Sequence, residues 1–199
     1  ALCAGNIATA DAAIDLIKAY DLKKVVGLSD GDAQTDFCRA LAKYHKINNR
    51  THFQCLKAES LSRYFENAAF SHILAIESMN HVKDFKLFLK RASYVLDDSG
   101  TMVMTVFTRK KKLPFYKEKY FFSHFQFKLQ TIEDWQRMAE NWSWDILETE
   151  ELTDLVLQKS LKEMTKNLSK KKKEIGLSLG AKIYIRAVLE FLKDMLRSK

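Results

Sequence analysis

Acid–base, nucleophilic and metal chemistry in this 199-residue chain would fall to five histidines, three cysteines and the carboxylates near them. His81 stands in the stretch ESMNHV, residues 77–82. Histidine is a candidate for proton transfer, and the structural alternative for His81 is to cap the following helix or bond a nearby carbonyl. His124 lies among Tyr116, Tyr120, Phe121, Phe122, Phe125 and Phe127. These rings either form a lid over an apolar or cationic substrate, since aromatic faces attract ammonium and sulfonium groups, or pack onto the rest of the fold. His45, His52 and His72 read as surface or strand positions. No set of histidines, cysteines and carboxylates has metal-ligand spacing, and neither a hydrolase nucleophile elbow nor a Walker-type phosphate loop is present. A last candidate is LCAGNIA, residues 2–8. Small residues around Gly5 let backbone approach a ligand, with the free N–H groups of a following helix behind it; a plain tight turn would read the same way.

The elements that must hold these residues alternate. Apolar runs at 24–29 (KVVGLS), 51–56 (THFQCL), 71–77 (SHILAIE) and 101–108 (TMVMTVFT) read as strands. Between them, residues 33–46 place Phe37, Ala40, Leu41 and Tyr44 on one helical face. Asp84 caps a helix whose buried stripe is Phe85, Phe88, Leu89, Ala92, Val95 and Leu96, ended by DDSG at 97–100. Alternating strand and helix predict right-handed crossovers, a parallel sheet and helices on both faces. Ligands of such sheets sit at the carboxyl ends of the strands, which singles out the corners 3–9, 27–34, 56–61 and 77–83. Beyond residue 111 the pattern changes. Residues 112–130 are aromatic-rich, hold the only proline and read as an insertion or lid. Thr131 and Asp134 form a capping-box pattern, 142–151 (WSWDILETEE) reads as a strand, and 152–168 and 181–196 read as amphipathic helices. The expected organisation is a core at 1–111, the insertion at 112–130, and 131–199 as the C-terminal part of the same domain.

Composition sets bounds on partners. Hydrophobic residues make up 47% and charged residues 29%, as in ordinary globular chains. The apolar runs are too short to span a bilayer, and the widely spaced, odd cysteines point to a reducing, cytoplasmic interior. The net charge of +8 sits largely in the runs Arg109–Lys112 and Lys170–Lys173. Such runs are read first as solvated surface, and stacking aromatics are not interleaved with the second one, which argues against nucleic acid.

Taken together the corners resemble the class I S-adenosylmethionine-dependent methyltransferases, in particular the small-molecule branch with sarcosine, tocopherol and phosphoethanolamine methyltransferases and cyclopropane fatty acid synthases. The segments carrying the resemblance are LCAGNIATADAAI, KVVGLSDGDAQTDFCRALA, FQCLKAESL and FSHILAIESMNHVKDFKLFLKRASYVLDDSGTMVMT, with LQTIEDWQRMAENWSWDILETEELTD more weakly. The most specific are Glu77–Val82 and the turn Val95–Gly100. The resemblance covers residues 1–150. It implies a Rossmann-like sheet with S-adenosylmethionine held by Cys3, Ala4, Gly5, Asn6, Ser29, Asp30, Lys57, Ala58, Glu59 and Glu77. It also implies His81 and Asn80 as the catalytic pair, and Tyr116, Tyr120 and His124 toward the substrate. Against the family pattern, the first strand is reduced to Ala1-Leu2 and a last antiparallel strand is missing, so truncation at both ends is expected.

Three positions depart from the family's cofactor motifs. Ile7 puts a branched side chain where bare backbone usually meets the ligand. Ser29 replaces an acid, and Lys57 replaces an aspartate, although an ammonium cannot accept a hydrogen bond from the adenine amino group. The reading is therefore a methyltransferase of small molecules at N, O or C, working alone or as a homo- or hetero-oligomer. Its first alternative is an inactive partner or regulatory subunit of the same fold, and its second is a nucleic-acid methyltransferase or binder.

Overall fold

A computed structural model describes residues 2–4, 8–110 and 129–157, together with 115, 116, 118, 119, 123, 159, 162, 163 and 166. Two compact units divide the chain: 1–108 with 112–144, and 109–111 with 145–199. The first unit holds β1 (Leu2–Ala4), α1 (Ala8–Tyr20), β2 (Val25–Ser29), α2 (Asp32–Tyr44) and β3 (Thr51–Cys55). A 3-10 turn (Ala58–Arg63), β4 (Phe70–Ile76), a second 3-10 turn (Met79–His81), α3 (Phe85–Val95), β5 (Leu96–Thr105) and α4 (Ile132–Glu140) complete it. In the second unit Thr153–Leu157 forms a π-helical turn, and 159, 162, 163 and 166 are helical.

The five strands form one parallel sheet in the order β3-β2-β1-β4-β5. Its two faces are separated by the period of two along each strand. Val25 and Phe53 pack with Ala10, Ala13, Ile14 and Ile17 of α1 and Cys38 and Ala42 of α2. Val26, Leu28, Ile73 and Ala75 point the other way, against Leu61, Phe88, Leu89, Ala92 and Val95, with Trp135 of α4 in the same core. Phe85 and Trp135 meet edge to face with ring centroids 4.6 Å apart. Each large apolar side chain buried here contributes roughly 1.5–3 kcal/mol.

Two helix starts are set by side-chain caps, those of α3 and α4. The Asp84 carboxylate accepts from the Leu87 amide at 2.9 Å, and Thr131 with Asp134 makes a reciprocal capping box.

Three expectations are corrected. The buried face of α2 is Thr35, Cys38 and Ala42, whereas Phe37 is 52% and Tyr44 79% exposed. Both stripes have helical spacing, and the small residues are the ones that fit against the sheet. Leu96 is not helical but begins β5, which runs through DDSG; a register shift between Phe70 and His72 absorbs the irregularity. Gly100 permits this, since a Cβ there would lie 2.6 Å from Leu96 Cγ. Residues 142–151 carry no strand, and Leu147 is 82% exposed. A strand needs a paired neighbour, and β5 is paired only to β4 among the described residues. The expected helix at 181–196 lies outside the described residues.

Candidate functional site

Because all five strands are parallel, Ala4, Ser29, Cys55, Ile76 and Thr105 end at one edge of the sheet. The four corners singled out from the sequence therefore stand along that edge, and α1 and α2 begin there.

At the first corner Cys3 and Ala4 lie in β1, paired with Gly27 and Leu28. Gly5, Asn6 and Ile7 lie outside the described residues.

At the second corner Ser29 is buried, and its hydroxyl lies 2.8 Å from Thr35 Oγ1. Both hydroxyls reach the Gly31 carbonyl, Ser29 at 3.1 Å and Thr35 at 3.0 Å. Ser29 is thus engaged in fastening the end of β2 to the first turn of α2. Asp30, the next residue, is exposed. Thr35 was not singled out from the sequence; it stands one turn into α2, facing back toward β2. Cys55 ends β3. Its exposed thiol hydrogen-bonds the Asp32 side chain, which pushes its pKa up by holding the neutral form; a thiolate there would meet the carboxylate charge.

The third corner opens with the Leu56 amide bonded to the Ser29 carbonyl at 2.8 Å, which continues the β2–β3 ladder. Lys57 is extended and exposed, Ala58 starts the 3-10 turn, and Leu61 anchors that turn in the core. Glu59 is half-buried, and its Oε1 accepts from the Lys83 amide at 3.1 Å.

The fourth corner is the most constrained. Glu77 has φ of 50°, a left-handed conformation uncommon for a residue with a side chain. Its amide is held by the carbonyl and the hydroxyl of Thr105, each at 3.0 Å, and its side chain is exposed. Asn80 is buried and pairs with the backbone of Phe107: Nδ2 donates to the carbonyl at 2.9 Å and Oδ1 accepts from the amide at 2.9 Å. His81 ends the 3-10 turn, exposed. The turn directs Met79 into the core and leaves Glu77 and His81 at the surface of the corner.

Tyr116 is exposed, while Tyr120 and His124 lie outside the described residues. Among the described residues no three histidines, cysteines or carboxylates stand close enough to hold a metal, and no helix is long and apolar enough to cross a membrane.

A family model described as a methyltransferase domain matches residues 4–104. No curated protein matches the chain in sequence. Among solved structures, a candidate sarcosine dimethylglycine methyltransferase from Galdieria sulphuraria superposes with a TM-score of 0.85 at 14% identity, over 97% of this chain and 71% of its own. Phosphoethanolamine N-methyltransferase 2 of Haemonchus contortus, solved with S-adenosyl-L-methionine, gives 0.81 at 18% identity, over 99% of this chain and 45% of its own. The cyclase SpnF gives 0.76 at 14% identity, over 99% of this chain and 70% of its own. At these identities the likeness establishes a shared fold.

Proposed function

Over residues 4–104 the chain belongs to the methyltransferase domain family, and from that premise we propose that it transfers the methyl group of S-adenosylmethionine to a small molecule, at N, O or C. The observation that carries this reading is the alignment of four corners along one sheet edge, the last of them held in a left-handed turn that exposes Glu77 and His81. Strain of this kind persists where surrounding contacts impose it, and here Thr105 and Phe107 do so.

The donors and acceptors at the edge suit an adenosyl group. Asp30 offers an exposed carboxylate for ribose hydroxyls, a task for which Ser29, already bonded to Thr35 and Gly31, is poorly placed. Lys57 donates only, so it cannot accept from the adenine amino group. Glu77 brings negative charge toward a cation. When bound, S-adenosylmethionine supplies an electrophilic methyl group on a sulfonium. The protein's part is then to align an acceptor, exclude water and, where the acceptor carries a proton, take it up at the His81 imidazole. Asn80 acts through the backbone, holding the His81 turn against the end of β5. The neighbours' names speak of sarcosine, dimethylglycine and phosphoethanolamine, which supports a small polar acceptor for this chain too.

A second reading is a member of the same fold that has lost cofactor binding and acts as a partner subunit. The inward-bonded Ser29 hydroxyl and the Lys57 ammonium favour it. Calorimetric titration with S-adenosylhomocysteine separates the two: saturable heat supports the enzyme, and no heat at millimolar ligand supports the partner subunit.

A further inference from the structure

The hydrogen bond between Glu59 and Lys83 joins two corners that lie 24 residues apart in the chain. Glu59 follows Lys57 and Ala58, on the side assigned to the adenine. Lys83 follows the His81 turn, on the side assigned to the acceptor. A charged acceptor makes this a stronger bond than a neutral one, and it satisfies an amide that the short 3-10 turn leaves without a carbonyl of its own. A second bond joins the same stretches: the Arg91 guanidinium of α3 donates to Ser62 Oγ at 2.6 Å. Leu61, between the two, is packed with Met79, Phe88 and Leu89 in one core. The 3-10 turn is therefore joined to the 79–91 stretch at Glu59, Leu61 and Ser62.

We propose that Glu59 is a positioning residue that couples the two corners, so that a ligand ordering residues 57–59 also orders the turn carrying His81. The proposal rests on the methyltransferase reading, because it takes an adenosyl ligand as the group that meets the first corner. The carboxylate does its work by accepting from the Lys83 amide rather than by touching the ligand. A glutamine retains that acceptor and loses the charge; an alanine loses both.

The test is residue-resolved amide hydrogen exchange on the intact chain, with S-adenosylhomocysteine as the probe. In the free protein Glu59→Ala should speed exchange of the Lys83 amide about tenfold or more, and Glu59→Gln, which keeps a neutral acceptor, should fall between the alanine variant and the parent. On adding the probe, the parent and Glu59→Gln should gain protection at both 57–61 and 78–83, and Glu59→Ala at 57–61 alone. Equal protection of 78–83 in Glu59→Ala would overturn the coupling. So would a Glu59→Gln variant that keeps the Lys83 amide protected in the free protein yet gains no protection at 78–83 with the probe, since the charge would then be acting on the ligand. If the parent binds the probe in neither calorimetry nor exchange, the coupling falls with the methyltransferase reading. That result is distinct from a parent that binds while the alanine variant responds as the parent does.

Discussion

Asn80 holds the His81 turn by two bonds to the backbone of Phe107. Asn80→Ala should remove both bonds to the Phe107 backbone and lower stability by about 1–3 kcal/mol, read by urea denaturation. Lys57→Asp should tighten S-adenosylhomocysteine about fivefold, the gain of one hydrogen bond to the adenine amino group; unchanged affinity would remove Lys57 from the adenine side. Cys55 carries the pH prediction. Its raised pKa comes first from the bond to Asp32, so at pH 8.5 it should alkylate more slowly than an unhindered thiol. Asp32→Asn should speed the reaction, as peptide mass spectrometry would show. Residue types and corner positions were legible in the sequence: Glu77, His81 and Asp30 are exposed at the expected edge. What Asn80, Ser29 and Glu59 bond to was not, because Phe107 and Lys83 lie 27 and 24 residues away and Thr35 a helical turn inward.

The elements are cooperative with these contacts. Asp84, which caps α3, directly follows the Lys83 amide bonded by Glu59, so the cap and the corner share one stretch of backbone. Asp84→Ala should cost about 1 kcal/mol through the lost bond to the Leu87 amide. Phe88→Ala, at a fully buried position, should cost about 3–5 kcal/mol, both measured by thermal or urea unfolding. Elements with period and caps in agreement were readable: β2, β4, α3 and the start of α4. The facing of α2 departs from the expectation because its sequence holds two stripes of helical spacing, and the smaller side chains, Thr35, Cys38 and Ala42, are the buried ones. Residues 142–151 have the composition of a strand, but composition cannot supply the neighbour whose backbone a strand must pair with.

Across the whole molecule, the strand order β3-β2-β1-β4-β5 is what converts four separate corners into one edge. Adjacent parallel strands fix where their carboxyl ends fall, so the corners are brought together by backbone pairing and not by side chains. The alternation of strand and helix made this arrangement readable before any coordinates. The division into two units could not be read, since it depends on which distant residues pack and not on local pattern. The central claim is that this edge holds an adenosyl ligand, and amide chemical-shift mapping with S-adenosylhomocysteine tests it most directly. The account predicts saturable shifts grouped at 29–32, 56–59 and 77–83, with the start of α1 beside them. Shifts scattered over the opposite edge, at 25, 51 and 70, or none at millimolar ligand, would contradict it.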